Sequence, residues 1–229
     1  MQKKTPATAA PPRKSKPRTT AARSTAARPA EAPPQRNICV YCGSGPGNKP
    51  IYVETARALG RALGQSGIGL VYGGGGRGLM GEVARATLAA GGYVTGIIPD
   101  FLYGPEHALE DVQEILVVKS MHHRKQEMYE RSDAFIALPG GIGTLEELVE
   151  QLTWAQIGHH AKPIAIVDCD RYWQPFIALM EHMRANAFIR PDLEIDLIVD
   201  ADPQRVVAAI TKALEAPRPK DAAVIADQM

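Results

Sequence analysis

The chain has 229 residues, a formal net charge of +1, and 45% hydrophobic against 22% charged residues. That length suits one sizeable α/β core with an extension, not two ordinary domains. No stretch approaches the roughly 20 apolar residues of a membrane span, and three cysteines are too few for a disulfide scaffold and fit a reducing, cytoplasmic setting.

Charge is spread unevenly. Residues 1 to 36 carry nine basic groups against Glu31 alone, a local +8, while the remainder holds 17 basic and 24 acidic residues, or −7. The basic segment is rich in Pro, Ala and Thr and nearly free of large apolar residues, so it cannot bury enough surface to offset ordering entropy. It is expected to be a disordered arm, and it has no apolar core of a secretory signal. A solvated extension is the simpler reading of this arm, and a nucleic-acid tether the functional alternative. A single folded domain is expected over 37 to 216, with a flexible tail over 217 to 229.

Short apolar runs predict strands at 38 to 42, 68 to 72, 93 to 98, 114 to 118, 134 to 138, 164 to 168 and 195 to 199. Helical periodicity fills most of the gaps, at 51 to 66, 79 to 90, 121 to 131, 144 to 158, 172 to 186 and 203 to 215. Strands alternating with helices of this length imply a Rossmann-like α/β fold: an open, mainly parallel sheet covered on both faces. Ligands in such sheets sit at the carboxyl ends of the strands. Gly43-Ser44-Gly45, the turn from Gly73 to Gly81, Ser120 to Lys125, and Pro139 to Thr144 are all expected there. Cys39 and Cys42 form a C-x-x-C, but positions i and i+3 of a strand face opposite sides, so they read as small core residues.

The turn Gly73-Gly74-Gly75-Gly76-Arg77-Gly78-Leu79-Met80-Gly81 contains two overlapping G-x-G-x-x-G matches. A dinucleotide fold would place that fingerprint after its first strand, with an acidic residue about 20 positions on. Here it follows the second strand, and the only acid near that distance, Asp100, is a poor ribose ligand. Further on, Ser120-Met121-His122-His123-Arg124-Lys125 opens a helix. Its two cations suit a phosphorylated ligand; equally, Arg124 could pair with Glu127 on a solvated helix face. The adjacent histidines diverge on a helix and lack a partner at metal-ligand spacing, so neither a metal nor an organic cofactor is expected.

The richest stretch is Ala134 to Glu147: a short apolar strand, then Pro139-Gly140-Gly141-Ile142-Gly143-Thr144, then an amphipathic helix. The turn aims backbone N–H groups and the positive end of a helix dipole at one point, which suits a phosphate. A carboxylate at Glu147 beside an anion site is costly unless it acts on the ligand. The competing reading is a capping box, Thr144-Leu145-Glu146-Glu147, in which Glu147 reaches back to the Thr144 cap.

Together these motifs resemble the LOG (Lonely Guy) family. Pro139 to Glu147 fits its PGGxGTxxE signature, and Met121-His122-His123-Arg124-Lys125 is similar to its MHxRK element. Gly73 to Gly81, Ile97-Ile98-Pro99, Ser132-Asp133-Ala134-Phe135 and Thr153-Trp154-Ala155-Gln156 extend the resemblance over roughly residues 37 to 190. It implies a cytokinin riboside 5′-monophosphate phosphoribohydrolase, which splits a purine nucleoside 5′-monophosphate, AMP among them, into free base and ribose 5-phosphate. It implies Arg124 and Glu147 as the catalytic pair. Substrate and phosphate would be bound by Gly74, Gly75, Gly78, Met80, Glu106, Lys125, Gly140, Gly141, Ile142, Gly143, Thr144, Leu145, Glu146 and Thr153. It also implies at least a homodimer. The older family label, lysine decarboxylase, suits the chain poorly, because no lysine stands in a recognisable pyridoxal setting. A carrier that binds a phosphorylated ligand without cleaving it is the alternative from another class.

Overall fold

The strand runs predict a sheet whose members are buried on both faces, and the computed structural model of the chain has that architecture. It describes residues 34–104, 107–189 and 195–215. Most of the expected basic arm, the expected tail and Glu106 lie outside the described residues.

The sheet holds β1 (Asn37–Tyr41), β2 (Gly69–Tyr72), β3 (Val94–Pro99), β4 (Glu114–Val118), β5 (Ala134–Ala137), β6 (Ile164–Val167) and β7 (Leu197–Asp200). All pairings are parallel, in the order β4-β3-β2-β1-β5-β6-β7. The helices are α1 (Pro50–Gln65), α2 (Gly78–Ala89), α3 (Asp100–Tyr103), α4 (Met121–Glu130), α5 (Ile142–Gln156), α6 (Gln174–Ala185) and α7 (Pro203–Glu215).

Period-two alternation along the strands divides the core. On one face Ile38, Val40, Leu70, Tyr72 and Ile136 pack with Leu59 and Leu63 of α1, Val83 of α2 and Val206 of α7. On the other, Cys39, Tyr41, Val71, Phe135 and Ile166 pack with Met128 of α4, Leu148 and Leu152 of α5, and Trp173 just before α6. Cys39 and Cys42 therefore do fall in opposite layers. Burial pushes the Cys39 thiol well above the usual thiol range.

This order creates a switch point between β1 and β5. Strands added after β1 run outward on one side through β4, and the chain then returns to lay β5 against the opposite edge of β1. Their carboxyl ends, and the loops that leave them in divergent directions, open the crevice where ligands of such sheets bind.

Candidate active site

The loops after β1, β2 and β5 meet residues of α2, α3, α4 and α5 at that switch point. Gly43, after β1, donates its N–H to the Pro139 carbonyl after β5 at 3.0 Å. Gly78, at the start of α2, has φ +54° and lies so close to Ser44 that a Cβ would stand 2.1 Å from its carbonyl oxygen; only glycine fits there. The crevice so formed, about 340 Å³, is lined by Gly43, Ser44, Gly73, Met80, Leu102, Met121, Arg124, Met128, Glu147 and the start of α5 from Gly141 to Thr144, with Val40 and Cys42 at its base.

The first turn of α5 gives the crevice its positive end. Gly141 is the N-cap, Ile142 the first helical residue, and no side chain caps the helix. Its leading N–H groups have no acceptor within the helix, and the dipole adds partial positive charge. An anion in the crevice satisfies both. Thr144 is the third helical residue and Glu147 the sixth, so the capping box does not form. The capping reading of Glu147 fails because the helix begins at Ile142, three residues before the Leu145 start that a Thr144 cap requires.

Glu147 instead faces Arg124 of α4, whose Nη1 donates to its Oε1 at 3.1 Å. The guanidinium is held by two backbone carbonyls as well: Nε donates to Ile97 O at 3.1 Å and Nη2 to Gly73 O at 3.4 Å. Arg124 is 7% exposed and Glu147 8%. The planar, multi-donor guanidinium is thus fixed by β3, the glycine turn after β2, and α5 at once. Glu127, the alternative partner expected for Arg124, accepts from Arg131 and contacts His123.

Residues 80–210 match the protein-family model described as "possible lysine decarboxylase". Over 156 residues the chain is 50% identical to the probable cytokinin riboside 5′-monophosphate phosphoribohydrolase LOGL9 of Oryza sativa subsp. japonica, covering 68% of this chain and 69% of that one. Over 179 residues it is 43% identical to the cytokinin riboside 5′-monophosphate phosphoribohydrolase of Rhodococcoides fascians, covering 78% and 90%. The chain belongs to the LOG family. Its fold is also that of the Moco carrier protein from Chlamydomonas reinhardtii, with a TM-score of 0.59 at 23% identity, over 78% of this chain and 97% of that one. A molybdenum cofactor binding protein from Rippkaea orientalis gives 0.58 at 23%, over 77% and 96%. At that identity the likeness is one of fold.

Of the residues that the LOG resemblance singles out, the crevice brings together Met80, Arg124, Gly141, Ile142, Gly143, Thr144 and Glu147. Gly74, at φ +77°, and Gly75 shape the turn behind it: the Gly74 carbonyl accepts from Leu109 and Gly75 bridges to Ala108. Gly140 packs against Thr144. Lys125 turns away from the lining and donates to Glu146 at 2.5 Å and Glu150 at 2.9 Å. Partial burial works against its charge, but these hydrogen bonds outweigh it and hold the ammonium above the ordinary lysine pKa. That is the opposite of the neutral amine that a Schiff-base lysine requires. Leu145 and Thr153 line a separate groove of about 710 Å³ between α5 and α6, and the Thr153 hydroxyl donates to the Val149 carbonyl at 2.7 Å.

Cys42, read from the sequence as a core residue, also lines the crevice, and Leu102 and Met128 were not singled out by the sequence. Met128 had a signal: it lies four residues after Arg124 and seven after Met121, on the same helix face. Leu102 had none, since α3 is too short to show a period. Asp100, the ribose-ligand position of the dinucleotide alternative, accepts from the Phe101 N–H at 2.7 Å and does not line the crevice. Among the described residues no three His, Cys, Asp or Glu side chains gather as a metal site, and no helix is long and apolar enough to cross a membrane.

Proposed function

We propose that this LOG-family chain hydrolyses the N-glycosidic bond of a purine nucleoside 5′-monophosphate, AMP or an N6-isoprenoid cytokinin nucleotide, releasing free base and ribose 5-phosphate. The observation that carries the reading is the Arg124–Glu147 pair buried beside the open start of α5. Three to six residues of helix, about 4.5–9 Å of rise, separate the amides of Gly141 to Thr144 from Glu147. A ribose 5-phosphate fills such a span, with its phosphate on the amides and its anomeric carbon toward the carboxylate. The names of the relatives at 43–50% identity support the same reaction.

Departure of the base leaves an oxocarbenium-like ribose. The Glu147 carboxylate stabilises that developing positive charge and orients or deprotonates the attacking water. Arg124 fixes the carboxylate in place, and its guanidinium, with a pKa above about 12, stays charged throughout. The crevice walls Met80, Leu102 and Met121 offer an apolar surface to the base. The reading also includes a cytoplasmic location, supported by the small number of cysteines, all three of them buried. At least a homodimer is included too, supported by the exposed apolar side chains Val149, Leu179, Met183 and Val199 around the α5–α6 groove.

Incubation of the protein with AMP and, separately, isopentenyladenosine 5′-monophosphate, with chromatographic detection of free base, tests the proposal. Base released from either supports the hydrolase and ranks the substrates. Nucleotide that binds but stays intact replaces it with the carrier.

A further inference from the structure

The geometry points to Tyr172 as a positioning residue for the phosphate-binding loop, acting from outside the crevice through the carbonyl of Gly140. The Tyr172 hydroxyl donates to Gly140 O at 2.5 Å, and Tyr172 does not line the crevice. The loop after β5 lies between the loops of its two sheet neighbours, and each neighbour holds one of two consecutive carbonyls. From the β1 side, the Gly43 N–H takes Pro139 O at 3.0 Å; from the β6 side, Tyr172 takes Gly140 O.

A trans peptide points its C=O and its N–H in opposite directions. Fixing the Gly140 carbonyl toward Tyr172 therefore turns the Gly141 N–H the other way, and Gly141 is both the N-cap of α5 and part of the crevice wall. Glycine at both positions leaves this peptide free to rotate if nothing holds it. The hydroxyl removes that freedom, so the amide is aimed before the phosphate arrives, and less ordering cost falls on binding.

The turn that carries Tyr172 is built to deliver it. After β6, Asp170 and Arg171 take φ +52° and +57°, a backbone conformation that L residues hold only when their surroundings impose it. Those surroundings are present: the Asp170 carboxylate is paired with Lys49 and lies 3.5 Å from the Tyr52 hydroxyl. Beneath, the buried Asp168 carboxylate accepts from the Trp173 N–H at 2.7 Å and from the Gln174 amide at 2.5 Å. The Tyr172 ring meets the edge of Tyr52 at 5.7 Å.

The inference rests on the proposed phosphate site, and its test reads that site apart from turnover. Tyr172→Phe keeps the ring and its contact with Tyr52, and at 37% exposure the substitution leaves the fold intact. Calorimetric titration of ribose 5-phosphate and of adenine into the full chain and into this variant is the experiment. The expected result is ribose 5-phosphate affinity weakened by about five- to tenfold, the size of one hydrogen bond. Adenine affinity stays within about twofold, the KM for AMP rises in step with the phosphate loss, and kcat is nearly unchanged. Unchanged ribose 5-phosphate affinity, equal loss for both ligands, or a fall in kcat alone overturns the inference. If the parent chain binds ribose 5-phosphate yet leaves AMP intact, the hydrolase reading fails and the affinity of Tyr172→Phe still decides this one. If it binds neither ligand, both fail.

Discussion

Arg124 donates to Glu147 at 3.1 Å, and the same guanidinium is tied to the carbonyls of Ile97 and Gly73. The carboxylate is thus presented by a cation that three separate elements hold still. A charged pair this deeply buried costs desolvation and is weak evidence for a purely stabilising role. It gains a reason beside a ligand that develops positive charge.

Glu147→Gln keeps the side-chain shape and an acceptor for Arg124 but loses the charge. Turnover of the nucleotide is expected to fall about 10²-fold or more, with its Kd changed by no more than a few-fold. Thermal melting checks the cost of leaving Arg124 without its anion, which is at most about 3–5 kcal/mol for a fully buried pair. Turnover within tenfold of the parent would remove Glu147 from the chemistry.

Gly73→Ala probes the guanidinium without touching either charged residue. A Cβ on Gly73 would stand 2.0 Å from Arg124 Nη2 and 2.9 Å from the Met80 sulfur, and the backbone there is not left-handed. The methyl therefore displaces the guanidinium from its carbonyl bonds, and small misplacements of a positioned group cost about 10²-fold in rate. The expectation is a large loss of kcat with a melting temperature lowered by only a few degrees. A variant as active as its parent would show that the fixed position of Arg124 is not needed.

The fold was legible because each central strand is buried on both faces and reads as an unbroken apolar run; the run Ala134 to Leu138 is entirely buried. The neighbour relation of β1 and β5 was not, since strands almost a hundred residues apart leave no local signal. The site turned on smaller matters. With glycine at the N-cap, α5 starts at Ile142, and a three-residue shift of the cap moves Glu147 from a capping position to the crevice. Arg124 and Lys125 look equivalent in sequence, yet neighbours on a helix point about 100° apart, and only the packing of α4 against β3 decides which one turns inward. Tyr172 carried no signal at all, because its partner is a backbone carbonyl 32 residues earlier.

Lys125 separates the resemblance from the geometry. Its ammonium joins Glu146 and Glu150, which ties α4 to α5, whereas the LOG pattern implies contact with substrate. Lys125→Met keeps the aliphatic stem and removes the charge. From the geometry, stability falls by about 1 kcal/mol, given that Glu146 is half exposed, and the KM for AMP stays within about twofold. A KM raised tenfold or more would show that Lys125 leaves its two carboxylates for the bound nucleotide.

His160 sets a pH dependence away from the site. Burial first, and then the nearby Lys162 charge, lower its pKa from 6.5 to about 4, and its Nδ1 accepts from the Lys162 N–H at 3.1 Å. The folded chain therefore keeps this ring neutral where the unfolded chain protonates it. The sign follows from linkage: the contribution is fully present above pH 6.5 and is lost as pH falls toward 4, because the unfolded state then binds the extra proton. The loss amounts to about 2 kcal/mol after allowing for the partial exposure of the ring. His160→Asn keeps an acceptor for the Lys162 N–H but cannot titrate. Urea midpoints measured between about pH 7.5 and about pH 4.5 should therefore fall less steeply for the variant than for the parent, even if the variant is less stable throughout. Equal slopes would mean that His160 titrates alike in the folded and unfolded chains.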